Sequence, residues 1–557
     1  MIRPVTLPRI RQARASVGVL LCVLAAFTLA SYAAPPVVES IFPAGGQRGA
    51  TLTLKSAGKF DVWPISVWSD SPALKIEPAK EKGLFTVHIA ADAPLGPRAI
   101  RFFTAEGSAP PRCFVIGAGA ERNEIEPNDD PSKAQPIESL PITINAQLDK
   151  QGDVDSYAVS LTQDQTLIAS VQGHRLGSLI DPMLHLLGPD GRQVAFAHDG
   201  FGLDPLLVYR APVAGAYIVR VSAFAHPPAG DVKLAGGKDP TYRLHLTTGP
   251  FAYATSPSGV RRGEEASLKL IGWNLPDAAI EVNAAAIPAD IDHLYVVTPS
   301  DQGQLRIPIS DAMEIIAPTD SKAPPLAPPF NLTGQIVSPR QEDVLNFRAS
   351  KGQRLALVLR PLLASGWAPM LRIIDSRGLQ LANADAAGAA TAKLEWTAPA
   401  EGTFQLVATD LFRSGDPTFQ YRLEVRPPFP AIAATADAEA YRIEPGKTAS
   451  IKITLARTAG YAESLIATAS QLPPGITATS PKASAKANDL TIVLTAASDS
   501  KTWAGPIHIH LTADAPAPSK LPPIAVLATL RKEADKPPAA PFLESTADLW
   551  LTVITGK

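Results

Sequence analysis

The segment "DPMLHLLGPDGRQVA" (181–195) recurs as "APMLRIIDSRGLQLA" (368–382), at an offset of 187 in the numbering. Each copy reads as an apolar run, a Gly-containing turn ("PDGR" or "SRGL") and a second run. Alternation of period two sends successive side chains to opposite faces of an extended chain. Each copy is therefore predicted to be strand, tight turn, strand. A second match, "APVAGAYIVRV" (211–221) with "APAEGTFQLVA" (398–408), keeps the same offset, and "YRL" at 242–244 and 421–423 closes both copies. One offset shared by two separate matches marks the repeat of a folded unit.

Short alternating runs extend outward from this repeat. "TLTLK" (51–55), "YRLHL" (242–246), "YRLEV" (421–425), "IKITL" (451–455), "LTIVL" (490–494) and "IHIHL" (507–511) read as half-buried strands, with no long helical stripe between them. A further pair, "PAGGQRG" (43–49) and "PSGVRRG" (257–263), is related by a different offset, 214. In each, a Gly (Gly58 or Gly272) follows nine residues after the last Gly. The predicted class is all-β: tandem β-sandwiches in which Ig-like units alternate with longer, jelly-roll-like ones. The segments are a leader (1–33), an Ig-like sandwich (35–119), a longer sandwich (120–250), an Ig-like unit (251–320), a second, degenerate longer sandwich (321–428) and a C-terminal Ig-like sandwich (429–557). Near the end, "RKEADKPPAAP" (531–541) reads as a loop or linker.

Composition agrees with this class. The chain has 557 residues, and its 54 prolines are about twice average usage. They punctuate apolar runs, as in strands and turns. Lys and Arg total 51 against 53 Asp and Glu, a net charge of −2, so no basic field exists to attract nucleic acid. The start carries Arg3, Arg9, Arg11 and Arg14, then the apolar run "VGVLLCVLAAFTLA" (17–30) and "SYA" (31–33). This is the pattern of a secretory signal peptide cut after Ala33, with no membrane span left afterwards. The expected location is secreted, periplasmic or cell-surface. Cleavage removes Cys22 and leaves Cys113 alone in "RCFVIG", a small buried residue without an internal disulfide.

The longer unit resembles the bacterial pre-peptidase C-terminal domain, a β-sandwich appended to secreted peptidases. The residues that carry the likeness are "E-x-E-P-N-D" (124–129), "GDVDSY" (152–157), "DP-x-L-x-L-x-x-PDG" (181–191), "AP-x-x-G-x-Y-x-V-x-V" (211–221) and "YRL" (242–244). The resemblance implies an ancillary, non-catalytic module. Related collagen-binding modules hold calcium through an acidic segment before the first strand, and that pattern falls here on Glu124, Glu126, Asn128 and Asp129. Asp153 and Asp155 are the further carboxylates expected to close the site. Calcium takes six to eight oxygens, and unscreened carboxylates packed together repel one another. A solvated acidic linker, in which no carboxylates converge, is the alternative. Calcium is expected in the first sandwich only. "SKAPPLAPPF" (321–330) has no carboxylate, and in "EDVLNF" (342–347) Asp343 aligns with Asp153 while Leu345 aligns with Asp155.

Catalytic patterns are sparse. No G-x-S-x-G, H-E-x-x-H or Gly-rich phosphate loop occurs. His508 and His510 share a strand face without a third ligand nearby in sequence, and His198–Asp199 reads as turn polarity. Trp63, Trp68 and Trp273 are either sugar platforms or core residues. The reading is a secreted, non-catalytic modular protein for adhesion or binding to a protein or polysaccharide at the cell surface or outside the cell. The alternative is an accessory subunit of an extracellular hydrolase, most plainly a peptidase. An enzyme with an unrecognised site stays as a third reading.

Overall fold

In the strand Thr448–Thr458, Ile451, Ile453 and Leu455 are buried while Lys452 and Thr454 face solvent. The same period-two rule, applied along the chain, builds five modules of two packed sheets each. The computed structural model describes residues 34–554, apart from 229, 231–232, 238, 278, 286, 288–290, 299–303, 319–322, 364–365, 387–390, 515–522 and 531–540. The expected leader (1–33) and most of the 531–541 segment lie outside the described residues. Among the described residues no helix is long and apolar enough to cross a membrane.

The first Ig-like module pairs a four-stranded sheet with a five-stranded one. The longer sandwich after it has a six-stranded sheet, running from Glu121–Asn123 through Ile142–Gln147 and Thr241–Thr247, and a five-stranded sheet centred on Gly215–Ala225. Its core contains Ile144, Tyr157, Leu184, Val219, Tyr242 and Leu244. The second Ig-like module has two three-stranded sheets. The strand Met313–Ile316 pairs in parallel with Phe330–Gln335, so it belongs to the sheet of the second longer sandwich. The C-terminal module has two six-stranded sheets and a core of its own.

The repeats hold at the level of register. Leu184 faces Val221 and Leu186 faces Val219; in the second copy Leu371 faces Ala408 and Ile373 faces Leu406, with the same offset on both strands. A bulge also recurs, between Leu186/Leu187 and between Ile373/Ile374. Gly58 and Gly272 have a shared cause. Each lies opposite a bulge, at φ +149° and +159°, where a Cβ would sit 1.9 Å from the carbonyl oxygen of Val37 or Phe251. Only glycine tolerates that approach.

The modules pack on one another. Ile168, Phe251, Tyr253 and Leu363 form one cluster drawn from both longer sandwiches and the second Ig-like module. Phe542 and Leu543, near the C-terminus, cover Ala44, Cys113 and Val115 of the first module and Leu176 of the sandwich after it. Trp550 is fully buried. It meets Phe103 at 4.9 Å and Trp68 at 6.0 Å between ring centroids, with the Arg101 guanidinium 5.3 Å from its own centroid.

Candidate metal centre

Residues 124–129 follow directly from the strand Glu121–Asn123, and Asp155 opens the strand Asp155–Leu161 in the opposite sheet. Backbone bonds fix the segment. Glu124 donates its N–H to the Asn145 carbonyl (2.9 Å), Ile125 donates to Gln135 Oε1 (2.8 Å), and Asn128 donates to Glu126 Oε2 (2.9 Å). Glu124 Oε1 accepts from the Gln147 N–H at 2.7 Å. Asp155 Oδ2 accepts from the Tyr242 hydroxyl at 2.5 Å, and Tyr242 in turn touches the Tyr157 hydroxyl at 2.8 Å.

These constraints bring one carboxylate oxygen each from Glu124, Glu126 and Asp155 within 4.8 Å of one another. Oxygens on opposite sides of a calcium ion, each at about 2.3–2.6 Å, stand about that far apart. Glu124 Oε2 and Asp155 Oδ1 are buried without a hydrogen-bond partner, as are both amide atoms of Asn128, whose side chain is wholly buried. Unpartnered buried oxygens are costly, and a hard cation would satisfy them. The electrostatics point the same way. Burial, and then the neighbouring Asp155 carboxylate, push Glu124 up to about 9. Burial pushes Asp155 up to about 8, against the Tyr242 hydrogen bond, with Asp153 and Glu126 adding repulsion.

The other two expected ligands are engaged elsewhere. Asp129 is half-buried and accepts from Lys150 Nζ at 2.8 Å. Asp153 is fully buried, caps the Asp149 N–H at 2.7 Å and lies 3.5 Å from the same ammonium. Tyr242 and Gln147, which brace the carboxylates, were not singled out as site residues from sequence. The "YRL" repeat was the available signal for Tyr242.

The second sandwich pairs its residues differently from the match of "GDVDSY" with "EDVLNF". Asp343 faces Ala408 as Asp155 faces Val221, and the Tyr421 hydroxyl donates to Asp343 Oδ2 at 2.6 Å. Asp343 is therefore the counterpart of Asp155, not of Asp153, and Leu345 stands where Tyr157 does. The alignment on sequence alone is displaced by one alternation of the strand. Both Asp343 oxygens have partners, Oδ1 through Gln341 at 2.9 Å. Ala317, whose N–H bonds the Thr333 carbonyl, takes the place of Glu124. The second copy keeps the tyrosine–aspartate pair and lacks the glutamate that faces it in the first.

The remaining candidates resolve into packing and polar pairs. Trp63 donates to the Ala79 carbonyl at 3.0 Å and packs on Phe60 and Phe85; Trp273 packs on Phe251 and Tyr253. His508 Nε2 pairs with Asp548 at 2.7 Å, and His198 with Asp199 at 2.9 Å. Cys113 is buried, its thiol pushed up to about 12 by desolvation.

No protein-family profile matches the chain. A protein of Deinococcus radiodurans described as "Probable subtilase-type serine protease" is 28% identical over 120 residues, which is 21% of this chain and 16% of that one. Among solved structures, Escherichia coli alpha-2-macroglobulin activated by elastase is 11% identical over 93% of this chain and 53% of its own, at a TM-score of 0.15. The surface-layer protein SbsC, domains 1–6, is 9% identical over 94% and 55%, also at 0.15. An ICAM-5 D1–D4 ectodomain fragment is 13% identical over 87% and 97%, at 0.12. Superpositions this loose carry no argument about role.

Proposed function

We propose that the chain is a secreted, non-catalytic binding protein of pre-peptidase C-terminal type, whose first longer sandwich is held by calcium. The observation that carries this reading is the convergence of Glu124, Glu126 and Asp155, with Glu124 Oε2 and Asp155 Oδ1 buried and without partners and an equally unpartnered, buried Asn128 amide in the same segment. Glu124, Glu126, Asp155 and the side-chain Oδ1 of Asn128 would hold the ion. Asp129 and Asp153 would act through Lys150. The non-catalytic reading draws support from five β-sandwiches whose strands run from Val37 to Val553. Loops and sheet faces of those modules would meet a protein or polysaccharide partner.

Calorimetric titration of the mature chain with calcium tests the metal. One site is expected, with heat lost on Asp155→Ala. No heat in wild type would defeat the proposal. A glycan and matrix-protein array, run with calcium and with chelator, tests the partner class. A second reading, an accessory subunit of an extracellular peptidase, is favoured by the 120-residue likeness to the subtilase-type protein. Co-purification of a peptidase from the native host would distinguish it.

A further inference from the structure

The strand Thr241–Thr247 is buried at every position, although alternation should leave one face wet. Tyr242, Leu244 and Leu246 belong to the sandwich core. On the other face Arg243, 4% exposed, meets the first Ig-like module. Its guanidinium pairs with Glu121 and donates to Asn145 Oδ1 (3.2 Å) and Gln172 Oε1 (3.0 Å), while Asn145 donates to Glu121 Oε2 (3.0 Å). The backbone of Gly45 lies against this guanidinium: a Cβ there would sit 2.7 Å from Arg243 Nε.

The same seam recurs between the second Ig-like module and its sandwich. Arg422, 5% exposed, binds Glu314 through two bonds of 2.7 Å. Asn331 donates to Glu314 Oε1 at 2.8 Å, and Arg422 Nη1 donates to Ser258 Oγ at 3.2 Å. A Cβ on Gly259 would sit 2.5 Å from Arg422 Nη1. Gly45 and Gly259 are the same position of the P-x-G-x-x-R-G motif, and Arg243 and Arg422 the same position of "YRL". Glu121 and Glu314 each lie four residues after the partner of Gln47 or Arg261 in a parallel pair, Gly117 or Ser310.

We infer that the first four modules form a tandem of two two-module units, each locked at its internal seam by a buried arginine–glutamate pair seated against the first glycine of P-x-G-x-x-R-G. A buried ion pair adds little net stability, because both charges lose water. It does demand one geometry, since the planar fork of an Arg aims its donors in fixed directions. Each pair lies within one sheet of the longer sandwich and meets the Ig-like module through the glycine backbone and, at the second seam, through Ser258 Oγ, so the held fork sets where that module sits. The Ig-like module and its sandwich thus move as one body, and a partner meets a preset pair of surfaces.

The second seam is the cleaner test, because Glu121 lies three residues from Glu124. In the mature full-length chain, spin labels at Glu265→Cys and Lys351→Cys, both exposed, report the distance across it. Cys113 is buried and stays unlabelled. A single narrow distance distribution is expected. The double variant Arg422→Met/Glu314→Leu, which removes both charges of the pair together, is expected to broaden it at least twofold with β-sheet circular dichroism unchanged. An unchanged width, or loss of the β-sheet signal in that variant, would overturn the lock. Gly259→Val should broaden the distribution alike. An unchanged width there would overturn the glycine seat, and if Gly259→Val does not fold the double variant decides.

Discussion

Glu124 and Asp155 make the sandwich sensitive to pH in a direction opposite to most carboxylates. Their ordinary values, 4.5 and 3.8, are raised in the fold to about 9 and about 8. Between those limits the folded state holds more protons than the unfolded chain, so stability falls as pH rises. The metal-free protein is therefore expected to lose melting temperature steadily from about pH 4 to about pH 9. On the calcium proposal the ion replaces those protons, so its affinity should climb across the same window and the slope of melting temperature against pH should flatten. Thermal melts in chelator and in calcium at several pH values check both. A metal-free protein that becomes more stable between pH 5 and 8 would contradict the burial of these two groups. Glu124→Gln, which leaves a neutral side chain, should stabilise the metal-free protein at pH 8 and weaken calcium binding.

Strands and turns carry the part of the fold that was readable beforehand. Alternation located the strands, and the offset of 187 transferred intact to register because the matched segments are continuous strands with the same bulge. The glycines at 58 and 272 were legible as a repeat but not as a bulge contact, which needs the partner strand. Gly58→Ala is expected to destabilise by about 1–3 kcal/mol, the cost of forcing a side chain into that backbone. Gly272→Ala should do the same, and urea unfolding of each variant measures it. The site was legible in part. The acidic segment was visible, but which acids converge depends on the side chains across the sheet, and Lys150 draws Asp129 and Asp153 away. Matching "GDVDSY" with "EDVLNF" on the shared Asp-Val missed the true pairing, because only Tyr242 and Tyr421 identify the equivalent aspartates. The seams were illegible for a related reason. Their glycine, glutamate and arginine repeat at three different offsets, 214, 193 and 179, since both the Ig-like modules and the sandwiches differ in length between the two copies.

Modules that look like beads in sequence are packed in the whole chain, and the last one docks on the first. On the strand Leu549–Val553, Leu549, Leu551 and Val553 fill the C-terminal core, while Trp550 points the other way, into Trp68 and Phe103 of the first module. Beside it Arg101, 1% exposed, pairs with Glu439 at 2.5 Å and also donates to Ser108 and the Ala109 carbonyl. An arginine buried in the first module and answered by a glutamate of the last, from the far end of the sequence, makes the contact specific. Because Trp550 stands outside the C-terminal core, Trp550→Ala should leave both modules folded and separate them. The lost packing is expected to cost about 3–5 kcal/mol at the interface. Hydrogen exchange on the full chain reads this directly. Amides of Gly96–Thr104 and Leu549–Val553 should exchange faster in the variant, while those of Thr448–Thr458, on the far sheet of the C-terminal module, keep their protection. Equal exchange in all three strands would mean that the two modules hold together without the tryptophan. Faster exchange in Thr448–Thr458 as well would place Trp550 in the module's own stability rather than in its docking.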